Sequence, residues 1–150
     1  MDWISHCYQA PVQFEQNGNT LIIVNVARDS RGSWRAWDEG AGSPGRLYQL
    51  RGTLGGGHVR SRFFRAQTDF MHGYLLEPGE TFQVPEGATM IRVDCRLWGQ
   101  AGTAVFQNIK IIKHQNSEPT QAHPHLPIPE PNRIQKHHIL EVIKNVLPHQ

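Results

Sequence analysis

Through the first 113 residues, apolar and polar positions alternate in short runs, and nowhere do they fall into a helical spacing. The stretch TMIRVDCRLW shows it best. Ile91, Val93, Cys95 and Leu97 share one parity, and Arg92, Asp94, Arg96 and Trp98 share the other. A period of two is the mark of a half-buried strand, whose successive side chains point to opposite faces. The same reading predicts strands over Thr20–Ala27, Arg46–Leu54, Val59–Ala66, Glu80–Val84, Thr89–Trp98 and Thr103–Ile112. Turn signals separate them: NGN, RGS, GAGSPG, LGGGH, EPGE, PEGA and GQAG. Short strands at this spacing predict an all-β domain over residues 1–113, a sandwich or a barrel rather than an α/β fold. The glycines at 55–57 lack the Lys-Ser/Thr and following helix of a phosphate loop, so they read as a turn.

The pattern changes after residue 113. Residues 116–131, NSEPTQAHPHLPIPEP, carry five prolines. They predict an extended linker over 114–131, about 50 Å long in a polyproline conformation. In NRIQKHHILEVIKNVLP, Asn132 and Gln135 have the spacing of a capping box. Ile139, Leu140, Val142, Ile143, Val146 and Leu147 follow as one apolar stripe, and Pro148 closes it. Residues 132–150 therefore predict one amphipathic α-helix. A single short helix is marginal in water, so it is expected to dock on its own sandwich, a second copy, or the remainder of a larger parent polypeptide.

Composition narrows the function classes. The chain has 150 residues, 38% of them hydrophobic, and a formal charge of +2. Neither a nucleic-acid surface nor a membrane span is expected, since no apolar run reaches about 18 residues. The N-terminal MDWISHCYQA lacks the basic and apolar regions of a signal peptide, which leaves the compartment open. Cys7 and Cys95 are 88 positions apart and read as free thiols, Cys95 as a small buried hydrophobe. The arginines are unevenly spread. Eight fall between Arg28 and Arg65 with three acids (Asp29, Asp38 and Glu39), while every lysine lies at or after Lys110. Arginine without lysine suits forked recognition of carboxylate or phosphate, or stacking on rings; a solvated face with internal ion pairs is the plainer alternative.

No catalytic constellation assembles. The serines have no nucleophile-elbow context, and the neighbours Asp38 and Glu39 would point to opposite faces of a strand. Six of the nine histidines lie after residue 113 without the acids or cysteines of a metal site. No enzyme activity, cofactor or metal is expected. The surface aromatics and arginines are the better lead. Arg92, Asp94, Arg96 and Trp98 form an outward face, and Trp34 and Trp37 sit in RGSWRAWDEG, read as a glycine-bounded loop. Tyr48 and Arg51 begin the next strand, with Arg60 and Arg62 on the one after. Rings and guanidinium groups together can stack on flat apolar patches and hydrogen-bond hydroxyls. Either tryptophan could equally plug the end of the sandwich.

The stretch ETFQVPEGATMIRVDCRLWGQAGTAVFQNIKII resembles the last three strands of a carbohydrate-binding module of the galactose-binding-like jelly-roll type. Phe82, Pro85, Gly87, Ala88, Gly99, Gly102, Phe106, Asn108 and Ile109 carry the resemblance, and RLYQLRGTLGGGHVRSRFFRAQ extends it loosely upstream. It implies an all-β, antiparallel β-sandwich (jelly roll) and non-catalytic carbohydrate binding. Where such modules often have an acid in the last strand that helps hold a structural calcium, this chain has Gln107. A neutral amide is a weak ligand for a hard cation, so loss of that site is expected. Gln107 and Asn108 would then bond neighbouring backbone at the sheet's edge.

These readings converge on an oligosaccharide or other glycan as the partner, with the arginine excess favouring acidic glycans. The ligand-binding candidates are Trp34, Trp37, Tyr48, Arg62, Arg92, Asp94, Arg96 and Trp98. The alternative is a structural or protein-interaction module within a larger enzyme or assembly, and an enzyme on this fold is a weaker third.

Overall fold

In a computed structural model, residues 1–38 and 45–114 are described. They form ten strands: β1 (Ile4–Gln9), β2 (Val12–Asn17), β3 (Thr20–Asn25), β4 (Arg31–Asp38), β5 (Leu47–Gly55), β6 (His58–Ala66), β7 (Asp69–Leu76), β8 (Thr81–Gln83), β9 (Met90–Trp98) and β10 (Gly102–Lys113). All pairings are antiparallel. Two five-stranded sheets result, sheet A in the order β1-β4-β9-β6-β7 and sheet B in the order β2-β3-β10-β5-β8. Of the sandwich and barrel left open by the alternation, the described residues form the antiparallel sandwich that the resemblance implies. The linker and helix predicted over 114–131 and 132–150 lie, beyond His114, outside them.

Between the sheets sits one apolar layer that includes Leu21, Ile23, Leu50, Val59, Phe63, Phe82, Ile91, Val93, Leu97 and Phe106. Burial of large aliphatic and aromatic side chains, each contributing roughly 1.5–3 kcal/mol, drives the two sheets together. Cys95 belongs to this layer and Cys7 is exposed; both thiols are free. At one end, buried Asn25 ties two turns to β9, its Nδ2 lying 2.9 Å from the carbonyls of Ser30, Leu97 and Gln100.

Six strands stand within a few residues of their predicted spans; β1, β2, β4 and β7 were not anticipated. The loop reading of RGSWRAWDEG is corrected by β4. Gly32, Trp34 and Ala36 face the core opposite Leu97, Cys95 and Val93, while Arg31, Ser33, Arg35 and Trp37 face outward. The alternation is regular, but a glycine and an alanine occupy inward positions where a strand usually shows larger apolar residues.

The expectation for Gln107 and Asn108 is also corrected. Strand β10 lies in the middle of sheet B, not at its edge. Asn108 has a positive φ of 54° at an irregularity in the β10–β5 pairing, between Gln107 and Lys110. Asparagine tolerates that region better than most side chains. Its N–H donates to Asn19 O at 2.9 Å, and the Gln107 Oε1 accepts from the Thr53 hydroxyl at 3.3 Å. The amide pair is thus a bulge inside a central strand.

Candidate functional site

The outward face of sheet A is assembled by register. Directly opposed residues in an antiparallel sheet share a face, with Cβ atoms about 4.5–5.5 Å apart. Five rows follow across the strands. Arg31 stands opposite Trp98; His6, Ser33, Arg96 and His58 make the second row; Ile4, Arg35, Asp94, Arg60 and Leu75 the third. Trp37, Arg92, Arg62 and Gly73 form the fourth, and Met90, Phe64 and Phe70 the fifth. Six guanidinium groups therefore share one face with one carboxylate, Asp94, in these rows.

Asp94 is fully buried, and Arg92 and Arg96 are only 9% and 5% exposed. Arg92 binds the carboxylate as a fork, Nε to Oδ1 at 2.7 Å and Nη2 to Oδ2 at 2.9 Å. Arg96 adds Nη2 to Oδ2 at 3.1 Å. The residue spacing explains the trio: positions 92, 94 and 96 lie on one side of one strand, so the acid is bracketed by a base on each side. Across the sheet, Arg35 and Arg60 flank the same carboxylate. One negative charge is surrounded by four positive ones.

This crowding shows in the titrating groups. Arg35 has its pKa lowered by burial, with Arg92 adding to the effect. Burial, then Arg60 and Arg96, push His58 down to about 4. His6 is lowered by burial and then by Arg35 and Arg92. The His58 imidazole is accordingly neutral at pH 7.

Aromatic rings close the array at two ends. At one, Trp98 packs 5.1 Å from Tyr8, with Arg96 4.5 Å and Arg31 5.7 Å from its ring centre. At the other, Trp37 packs 4.8 Å from Phe64; Arg92 lies 5.4 Å from the first ring and 5.2 Å from the second. Arg62 sits 4.2 Å over Phe70. The distance from Arg31 to Trp37 along β4 is about 20 Å at the usual strand rise. Beside Trp37, a recess of about 390 Å³ is lined by Met1, Asp2, Ile4 and Asp38.

Of the eight candidates, Trp37, Arg62, Arg92, Asp94, Arg96 and Trp98 come together on this face. Trp34 and Tyr48 do not. Trp34 points into the core, 7% exposed, and its Nε1 donates to Ile22 O at 3.1 Å. Tyr48 belongs to sheet B and is buried against Phe82, with ring centres 6.0 Å apart. Both are removed from a surface site by strand parity. Arg31, Arg35, Ser33, His6, His58, Tyr8, Phe64 and Phe70 complete the face and were missed. The signal for the β4 members was there, in the alternation of RGSWRAW. Among the described residues, no three of His, Cys, Asp or Glu gather as a metal site would require. What the face offers is hydrogen-bond donors, positive charge and rings.

No family model matches the chain, and no curated protein matches it. Nineteen solved chains do. The enzymatically active domain of tailspike protein 4 from bacteriophage CBA120 is 15% identical over 75% of this chain, with a TM-score of 0.57. This chain spans 19% of that one. A chain from the structure of accessory secretory proteins 1, 2 and 3 of Streptococcus pneumoniae is 14% identical over 73% of this chain and 90% of its own, with a TM-score of 0.54. The shared property is the fold. This chain is a two-sheet antiparallel β-sandwich of the kind they contain. Carbohydrate-binding modules also stand among the similar structures: a CBM4 structure is 11% identical, covers 75% of this chain and 86% of its own, and has a TM-score of 0.49.

Proposed function

We propose that the outward face of sheet A binds glycans carrying carboxylate or other anionic groups, as a non-catalytic module. The observation that carries this reading is the guanidinium array around Asp94, closed at both ends by aromatic rings. Sugar rings present flat C–H faces that pack on indole, and their hydroxyls and carboxylates accept from guanidinium N–H groups. The Arg92–Asp94–Arg96 trio holds its side chains in place before a ligand arrives, which reduces the ordering cost of binding.

Calorimetry with matched neutral and acidic oligosaccharides tests the proposal. The acidic member should bind more tightly, and its affinity should fall as salt rises from low to physiological strength, because exposed charges are screened. Equal affinity for both, insensitive to salt, would leave sugar binding standing and remove the acidic preference.

A second reading is a protein-interaction module. Ile4, 64% exposed, and Phe70, 40% exposed, lie on the same face, one toward each edge of sheet A. An acidic protein surface with apolar margins would meet them. Absence of binding to every oligosaccharide, with capture of acidic peptides instead, would favour it.

A further inference from the structure

We infer that the anionic group of the ligand docks on β4, with Arg35 as its anchor, while the Arg92–Asp94–Arg96 trio on β9 serves as the platform beneath. The inference deepens the proposed glycan reading and rests on it for the nature of the larger ligand. The ligand chemistry is an oxyanion with at least two acceptor oxygens, such as a carboxylate or a sulfate or phosphate monoester.

The two strands differ in what their donors already do. On β9, both oxygens of Asp94 are engaged, by the fork of Arg92 and by Arg96. Arg92 Nε and Nη2 and Arg96 Nη2 are thereby committed. On β4, Arg31, Ser33 and Arg35 occupy three successive outward positions. Each holds a buried polar atom without a hydrogen-bond partner: Arg31 Nε, Ser33 Oγ and Arg35 Nε. Buried donors are costly to leave unmet, and an acceptor brought by a ligand would satisfy those of β4. Guanidinium donors ask for oxygen atoms bearing negative charge.

Position selects Arg35 among the three. Arg31 packs against the aromatic pair of Tyr8 and Trp98, 5.7 Å from each ring centre, and so is already engaged at that end of the face. Ser33 is fully buried. Arg35 is partly exposed and directly opposite Asp94, in the row that also holds Arg60. Burial first, and then the positive charges of Arg92 and Arg62, work against its own charge while Asp94 supports it; an arriving anion would add to that support. The aromatic ends of the face would then hold the uncharged parts of the same ligand.

The experiment is a titration of the full chain, labelled at arginine nitrogen, with glucuronate, inorganic sulfate and glucose, at fixed ionic strength. Saturable shifts are expected at Arg35 Nε with glucuronate or sulfate, and whichever binds more tightly tells a planar from a tetrahedral group. Glucose should leave that signal in place. Arg35→Gln should weaken oxyanion binding at least tenfold, and Arg35→Lys should lose part of it, since a point charge lacks the fork. Arg51→Gln, on the exposed surface of β5 in the other sheet, should change nothing. The wild-type titration does not depend on any variant folding. No saturable shift, equal losses in the Arg35 and Arg51 variants, or an equal response to glucose would overturn the inference. Oxyanion binding at Arg35 together with no affinity for any oligosaccharide would uphold it and sink the glycan reading instead.

Discussion

Trp34 and Trp98 show what a single residue's parity decides. Both belong to sheet A, yet Trp34 donates into sheet B and meets Phe14 edge-on, with ring centres 5.5 Å apart. Trp98 looks outward and rests on Tyr8. Trp34→Ala should therefore cost about 3–5 kcal/mol of stability, as truncation of a large core aromatic does. Trp98→Ala should cost at most about 1 kcal/mol of stability but weaken glycan binding by about 1–2 kcal/mol. Denaturant unfolding and calorimetry on the two variants measure both quantities; a large stability loss in the Trp98 variant would make it a structural residue. The outward parity of Arg92, Asp94, Arg96 and Trp98 was legible because β9 alternates without interruption. Trp34 and Trp37 were not separable until β4 was seen to be a strand. Residues three apart in a strand point to opposite faces, so one tryptophan had to leave the site.

At the scale of the element, the junction of β10 and β5 links a residue choice to sheet shape. Asn108 takes a positive φ and the ladder slips there, so the facing strand must make room. Gly52 does so. Its φ is +129°, and a Cβ at that position would stand 2.7 Å from Ile109 Cδ1, 2.8 Å from Gln107 O and 2.9 Å from Asn108 O. Two of those atoms are backbone and cannot yield without moving the bulge. Gly52→Ala should destabilise the fold by about 1–3 kcal/mol, the usual cost of an L-residue forced into such a conformation. Thermal unfolding of the variant checks it, and an unchanged melting temperature would mean that the bulge is not fixed. The sequence marked the final strand through the shared parity of Val105, Ile109 and Ile111 but placed its amide pair at an edge. A bulge is a property of two strands in register, and neither strand alone declares it. The edge strand β1 escaped for a related reason. It is mostly exposed, so ISHCYQ shows no alternation to read.

Across the whole molecule, the concentration of positive charge on sheet A makes stability a function of pH. His58 faces that charge from β6, opposite Arg96 and two residues from the row of Arg60 and Asp94. Its pKa falls from the ordinary 6.5 to about 4 through burial and through Arg60 and Arg96, with Asp94 opposing. A base whose folded pKa is depressed binds its proton more readily in the unfolded chain. The contribution of neutral His58 is therefore fully present above pH 6.5 and is lost progressively as pH falls through the window down to about 4. Allowing for the part of the ring that meets solvent, the loss should amount to about 1–3 kcal/mol. His58→Gln, which cannot take up a proton, should flatten the stability profile between those limits. His6 shifts in the same direction, so the flattening should be partial. Salt should act in the same sense, because screening the guanidinium groups lowers the repulsion that a new imidazolium would meet. Unfolding free energies measured from pH 7.5 to 4, at low and high salt, test the whole scheme. A profile in that range identical for the wild type and the His58 variant would show that the arginine face does not govern it.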